Sequence, residues 1–217
     1  MPGQKAHEET RRQDILRAAH EVALRDGAEA LTLRAVAKRA GVSHGTVLFH
    51  FKRRDDLVAS LLERVLGMTA RVEVSDGLGG LTTPSDRLHA LLRAEMDRLS
   101  ADPRHFRLFL EYWTLGVRTA TIRKRIGVAL EEYRASFRPL ADAIMKNGNE
   151  NGTRSRGRKT AVPADNAAVS ASIAAVAVSL VHGCALQSVI DPKGFDVQQH
   201  FAAAARMLER LAIPGAA

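Results

Sequence analysis

The residues best suited to chemistry lie close together in the first quarter of the chain. Gly41-Val-Ser-His-Gly-Thr-Val-Leu-Phe-His-Phe51 carries hydroxyl, imidazole and apolar side chains, and Lys38, Arg39, Lys52, Arg53 and Arg54 flank it with cations. That mixture binds; it does not catalyse. The chain has eight histidines and one cysteine. No His-x-x-x-His pair with an acid and no Cys/His ligand set occurs among them. Cys184 sits in an apolar run, where cysteine packs as a small core residue. No glycine loop follows a strand, and no paired acid and base appears. The expectation is therefore a non-enzyme, with no cofactor and no metal.

Two short helices around a tight turn would position these groups. Leu33, Val36, Ala37 and Ala40 follow the i, i+3, i+4, i+7 spacing of an amphipathic helix from about Leu33 to Arg39. Gly41 suits a turn needing positive φ, and Ser43 stands where an N-cap belongs. Val47 and Phe51 then share the inward face of the second helix. Such a helix-turn-helix presents its second helix to the DNA major groove. On it His44, Thr46, Leu48 and Phe49 can reach base edges or phosphates, and Gly45 lets the backbone approach closely. Thr32, His50, Lys52 and Arg54 are the expected phosphate contacts, which position the protein without reading sequence. Lys38 and Arg39 are phosphate neighbours.

Bulk properties agree without deciding the matter. The chain has 217 residues, 46% of them hydrophobic, with a formal charge of +8. Basic chains favour polyanions, although charge alone is no proof. One cysteine precludes an internal disulfide and fits a reducing cytoplasm. The N-terminal residues are charged and lack the apolar run of a signal peptide. Ala167–Ile190 carries no formal charge but is rich in Ala and Ser, so a helix buried on all sides is expected rather than a membrane span.

The remaining chain reads as helices. The first runs from about Glu8 to Arg25, and Asp26-Gly27 ends it. A fourth opens on Asp55-Asp56 and leads away from the reading helix, which makes it the expected mechanical link to the rest. Leu88, Leu91, Leu92, Met96 and Leu99 mark a fifth, and an aromatic helix carries Phe106, Phe109 and Trp113. The next spans about Ala120 to Met145, with Pro139 expected to kink it. Lys146–Asp165 is rich in Asn and Gly, then basic, and reads as a flexible loop. After the Ala-rich helix, Asp196 and Gln199 can cap a last one. Its Val197, Phe201, Ala204, Leu208 and Leu211 keep a coiled-coil seam spacing. No strand pattern or internal repeat is present.

The segment Gly41–Leu57, with its Ser-x-Gly-Thr, His-Phe-Lys and acidic start of the fourth helix, resembles the DNA-binding signature of the TetR family of transcriptional regulators. The match extends from the first helix to about Leu62. Trp113 and Ile190-Asp191-Pro192 resemble the subgroup related to the choline-responsive regulator BetI. One departure is local: relatives usually carry two tyrosines before the His-Phe, and Leu48 and Phe49 stand there in this chain.

The resemblance implies an all-α chain of about nine helices. Residues 1–54 would form a three-helix bundle with the helix-turn-helix. Residues 55–217 would form an effector-binding and dimerisation domain, with the flexible basic loop at about 146–164. The implied function is a cytoplasmic, homodimeric transcriptional repressor that binds a near-palindromic double-stranded operator and is released by a small molecule, with no membrane partner. Two alternatives stay open: a regulator without an effector, and a small helical enzyme using the C-terminal cavity. The expected DNA contacts are Thr32, Ser43, His44, Gly45, Thr46, Leu48, Phe49, His50, Lys52 and Arg54. Met96, Phe109, Tyr112, Trp113, Tyr133, His182 and Gln187 are the expected effector residues. Glu111 and Arg118 are expected at the surface. Val169, Ile173, Val176, Leu180, Val197, Phe201, Leu208 and Leu211 are expected to line the dimer interface.

Overall fold

The computed structural model describes residues 2–70, 72, 80–156 and 165–211, with side chains placed for 7–70, 72, 80–147 and 166–210. Every regular element among them is helical, as expected. In order these are α1 (Pro2–Asp26), a 3-10 turn (Ala28–Ala30), α2 (Leu33–Ala40), α3 (His44–His50) and α4 (Arg54–Thr69). They continue with α5 (Pro84–Ala101), α6 (Pro103–Arg118), α7 (Ala120–Arg156), α8 (Asp165–Ile190) and α9 (Val197–Leu211).

The helix ends follow the capping chemistry of the sequence. Thr32 Oγ1 accepts the Ala35 N–H at 3.0 Å and starts α2. Gly41, at φ 66°, ends it in the left-handed region, where a side chain would be strained. Val42 N–H then closes back on the Ala37 carbonyl at 3.1 Å. Thr83 and Asp86 bond at 2.7 Å where Pro84 opens α5. Asp196 accepts the N–H groups of Gln198 and Gln199 at the start of α9.

The chain divides into two units. The first comprises Met1–Thr69 and Arg107–Gly127. Its core is built from Ile15, Ala19, Val22 and Ala23 of α1, Val36 of α2, Val47 of α3, Phe51, and Leu57, Leu61 and Leu62 of α4, all buried. Arg12 lies over the Phe51 ring, 5.1 Å from its centroid, and donates to Ser60 Oγ at 3.1 Å. The unit therefore extends past residue 54, where the sequence places its boundary. Three short helices have little apolar surface to bury, and α4 supplies the missing layer against α1. The chain passes between the units directly after α4, at Thr69, and again within α6 and α7.

The second unit comprises Ala70–Phe106 and Val128–Ala217, in which α5, α8 and α9 pack on one another. Leu88, Leu91, Leu92 and Met96 of α5 are buried with Ile173, Ala177, Val181 and Ala185 of α8 and with Ala204 and Leu208 of α9. Asn166–Ile190 of α8 is long and apolar enough to cross a membrane by length and composition, and half of it is buried inside the protein.

One expectation fails along α7. It remains helical to Arg156, so the loop expected from residue 146 is displaced; residues 157–164 lie outside the described set. Asn and Gly weaken a helix by no more than about 1 kcal/mol each, which does not stop one already propagating. Pro139 also lies inside α7 and does not end it.

Candidate nucleic-acid interface

The reading surface is set by how α3 is capped and buried. Ser43 Oγ accepts the Thr46 N–H at 3.0 Å, and the two hydroxyls lie 2.9 Å apart. Val47 and Phe51 are buried beneath the helix. What remains outward is His44, Gly45, Leu48 and Phe49, with His50 and Thr46 half-exposed. Phe49 is 69% exposed and Leu48 38%. The Phe49 and His50 rings meet edge to face with centroids 5.1 Å apart. Thr32, Arg34, Lys38, Lys52 and Arg53 are exposed around this helix. The expected DNA contacts are exposed or half-exposed, and two of the cations expected near phosphates also have partners within the unit.

Arg54 is one of them. Its Nε donates to the Leu31 carbonyl at 2.6 Å and its Nη2 to the Ala28 carbonyl at 3.0 Å, so it ties the start of α4 to the turn after α1. Two of its five N–H donors are thus engaged inside the unit, although the residue is exposed. Arg39 likewise pairs with Glu21 of α1.

The expected effector residues are divided between the two units. Phe109, Tyr112 and Trp113 belong to the first unit, whereas Met96, Tyr133, His182 and Gln187 belong to the second. The phase of α6 buries Tyr112, whose hydroxyl donates to the Val58 carbonyl at 2.9 Å. Burial pushes that phenol well above its ordinary pKa, so it stays a donor. Trp113 packs its ring against Phe109, with centroids 5.4 Å apart. Gln187 is exposed on α8.

Within the second unit a buried polar cluster appears that hydrophobic patterning missed. Glu95 is 1% exposed. It accepts the Tyr133 hydroxyl at 2.6 Å and two bonds from Arg98, at 3.0 and 2.5 Å. His182 stacks on Tyr133 with centroids 5.5 Å apart and lies 5.9 Å from the Phe106 ring. Burial, then the nearby Arg98 charge, lowers the His182 pKa to about 4, so its ring is neutral at pH 7. Glu95 falls three and four residues from Leu92, Leu91 and Leu99, on the inward stripe of α5. That phase was the available signal. Cys184 is buried beside Ser100, and burial pushes its thiol up.

The first unit also holds a cleft of about 650 Å³, lined by Asp26, Gly27, Ala28, Arg54, Glu111 and Arg118 among others. Its walls are charged, unlike the apolar chamber expected of a small-molecule site. Glu111, expected at the surface, accepts the Ala28 N–H there at 2.6 Å.

The expected dimer residues also divide. Ile173 and Leu208 are buried inside the chain, and Val169, Val176, Leu180, Val197 and Phe201 are half-buried. The Leu211 side chain lies outside the described set. The seam of α9 faces the chain's own helices: Ala204 and Leu208 are buried, and Arg93 lies over the Phe201 ring at 5.0 Å. The exposed apolar residues of α8 and α9 are instead Leu186, Ile190 and Met207. Among the described residues no group of three or more His, Cys, Asp or Glu could hold a metal ion.

Comparison with known proteins gives this geometry its context. Residues 15–61 match the family model of bacterial regulatory proteins, tetR family. Over 114 residues the chain is 23% identical to the HTH-type transcriptional regulator BetI 1 of Chromohalobacter salexigens, covering 52% of this chain and 56% of that relative. The match thus spans little more than half of the relative's length. A transcriptional regulator from Pseudomonas aeruginosa PAO1 superposes with a TM-score of 0.71 at 21% identity, over 96% of this chain and 93% of that one. One from Saccharomonospora viridis, solved in complex with choline, gives 0.64 at 18% identity, over 91% of this chain and 95% of that one.

Proposed function

We propose that this chain, whose residues 15–61 match the family model of bacterial regulatory proteins, tetR family, is a cytoplasmic transcriptional repressor. It binds a near-palindromic operator as a homodimer and leaves it when a small molecule binds the second unit. The observation that carries this reading is the outward face of α3, capped by Ser43, seated on Val47 and Phe51, and ringed by exposed cations. A two-fold dimer would set two such helices in successive major grooves, roughly 34–36 Å apart or somewhat more. Leu186, Ile190 and Met207 supply apolar surface for a self-complementary contact.

The effector acts only through different affinities for the DNA-bound and released states. The buried Glu95, Tyr133 and His182, with the half-buried Arg98, offer polar anchors for it, and the choline complex of the Saccharomonospora regulator supports a small molecule in this fold. A second reading is a regulator without a small-molecule effector. It is favoured by Glu95 already accepting bonds from both Tyr133 and Arg98 inside the chain.

Selection of genomic fragments by the purified protein tests the proposal. The expected product is an inverted repeat bound by two subunits, with metabolites encoded nearby releasing it. Failure to enrich any sequence overturns the regulator reading. Enrichment with no releasing metabolite leaves the effector-free regulator.

A further inference from the structure

The reading helix has an unusual chemical balance. Across His44–His50 there is no Arg, Lys, Asn, Gln, Asp or Glu, so the side chains that make bidentate contacts to base edges are absent. Thr46 is engaged with Ser43, which leaves the His44 and His50 rings as the polar groups facing out. The most exposed side chain is Phe49, and Leu48 stands beside it. His50 braces the Phe49 ring edge to face, which limits its freedom in the free protein. Arg34, Lys38, Lys52 and Arg53, exposed on the flanks, complement a polyanion on either side of this apolar tip.

An exposed phenyl ring gains free energy only where it meets apolar surface. In the major groove that surface is the thymine 5-methyl group. We propose that Phe49, with Leu48 beside it, reads thymine by its methyl group, so that sequence choice at these positions rests on apolar contact rather than on hydrogen bonds. This rests on the reading that α3 enters the major groove. It adds which atoms of the DNA are recognised and by which residues. A hydroxyl at position 49 would accept or donate a bond; a bare ring cannot, and it discriminates thymine from cytosine by the methyl alone.

The test uses the full-length protein and its selected duplex. Deoxyuridine replaces thymine one position at a time, which removes the methyl and leaves every hydrogen-bonding group in place. Affinity for each duplex is measured for the wild type, Phe49→Ala and Leu48→Ala. At the thymine under Phe49, uracil is expected to weaken wild-type binding about fourfold per half-site, the equivalent of one buried carbon group. Phe49→Ala is expected to bind the two duplexes equally. Its exposure predicts an unchanged helical circular dichroism spectrum, which checks its folding. A duplex that tolerates uracil everywhere within twofold overturns this inference and leaves the regulator standing. An unchanged thymine-to-uracil ratio in both variants also overturns it. Failure to select any duplex overturns both.

Discussion

The Glu111 carboxylate accepts the Ala28 backbone N–H at 2.6 Å, joining positions 83 residues apart in the chain. Four residues earlier on α6, Arg107 donates to the Leu24 carbonyl at 2.7 Å. These bonds, with Tyr112 on Val58, make most of α6 part of the unit that carries α3. The first turn of α6 belongs instead to the second unit, with Phe106 against His182. α6 thus contributes its first turn to one unit and its remainder to the other.

Replacing Glu111 tests the importance of that latch. Glu111→Ala leaves the Ala28 N–H without its charged acceptor. A partly exposed bond of this type is worth about 1 kcal/mol, so the midpoint of thermal unfolding should fall by a few degrees. Operator affinity should fall with it, because the turn before α2 loosens. Glu111→Gln keeps an acceptor and should recover most of both. An alanine variant with wild-type stability and affinity would show that the bond does not hold the head.

Arg54 and Lys52 should part company in salt titrations. Lys52 is exposed beside α3, whereas Arg54 gives two of its donors to the Leu31 and Ala28 carbonyls. A phosphate contact contributes about 0.9 to the slope of log affinity against log salt. Lys52→Ala should flatten that slope by about one per subunit. Arg54→Met should leave the slope intact and lower the unfolding midpoint instead. Equal slope changes would return Arg54 to the phosphate contacts.

The contrast between these two residues shows what a sequence conveys here. Caps and turns are local, so Gly41, Ser43 and Asp196 were legible from residue type and spacing. The reading face was legible too, since α3 has one buried stripe and the rest must point out. Arg54 was not legible, because nothing in its neighbourhood says that carbonyls 23 and 26 residues away will claim its donors. The seam of α9 has the same ambiguity. Its spacing shows that Phe201 and Leu208 face a helix, but not whether that helix belongs to the same chain. Glu95 was hidden for the opposite reason: a carboxylate on an inward stripe is read as an exception until its partners, Arg98 and Tyr133, are located in space.

His182 should make stability depend on pH in a defined window. Its pKa in the folded protein, about 4, lies below the ordinary value of 6.5. Above pH 6.5 the ring is neutral both folded and unfolded, and it contributes no pH dependence. As pH falls from 6.5 toward 4, the unfolded chain takes up a proton that the folded chain refuses, and stability drops. Each pKa unit is worth about 1.4 kcal/mol, so the loss amounts to roughly 3 kcal/mol. His182→Phe retains a ring against Tyr133 and should remove this part of the curve. Denaturant unfolding from pH 7.5 to 4 checks it. Parallel curves for the two proteins would mean that His182 is protonated in the folded state.

Apolar residues on α8 and α9 should separate folding from association. Ile190 is 74% exposed and Met207 53% exposed, whereas Leu208 is 1% exposed within the chain. If the outward faces of these helices join two copies, charge at Leu186, Ile190 or Met207 must be desolvated at the contact, and the like charge meets its own copy across a two-fold axis. Ile190→Glu combined with Met207→Glu should therefore sediment as a monomer with wild-type helical content, and operator affinity should collapse because each half-site is then bound alone. Leu208→Glu should instead unfold the second unit, since it buries a carboxylate among Leu88, Ile173 and their neighbours. The two substitutions thus distinguish an interface residue from a core residue on adjacent positions of one helix. A double variant that still sediments as a dimer would move the interface off this face.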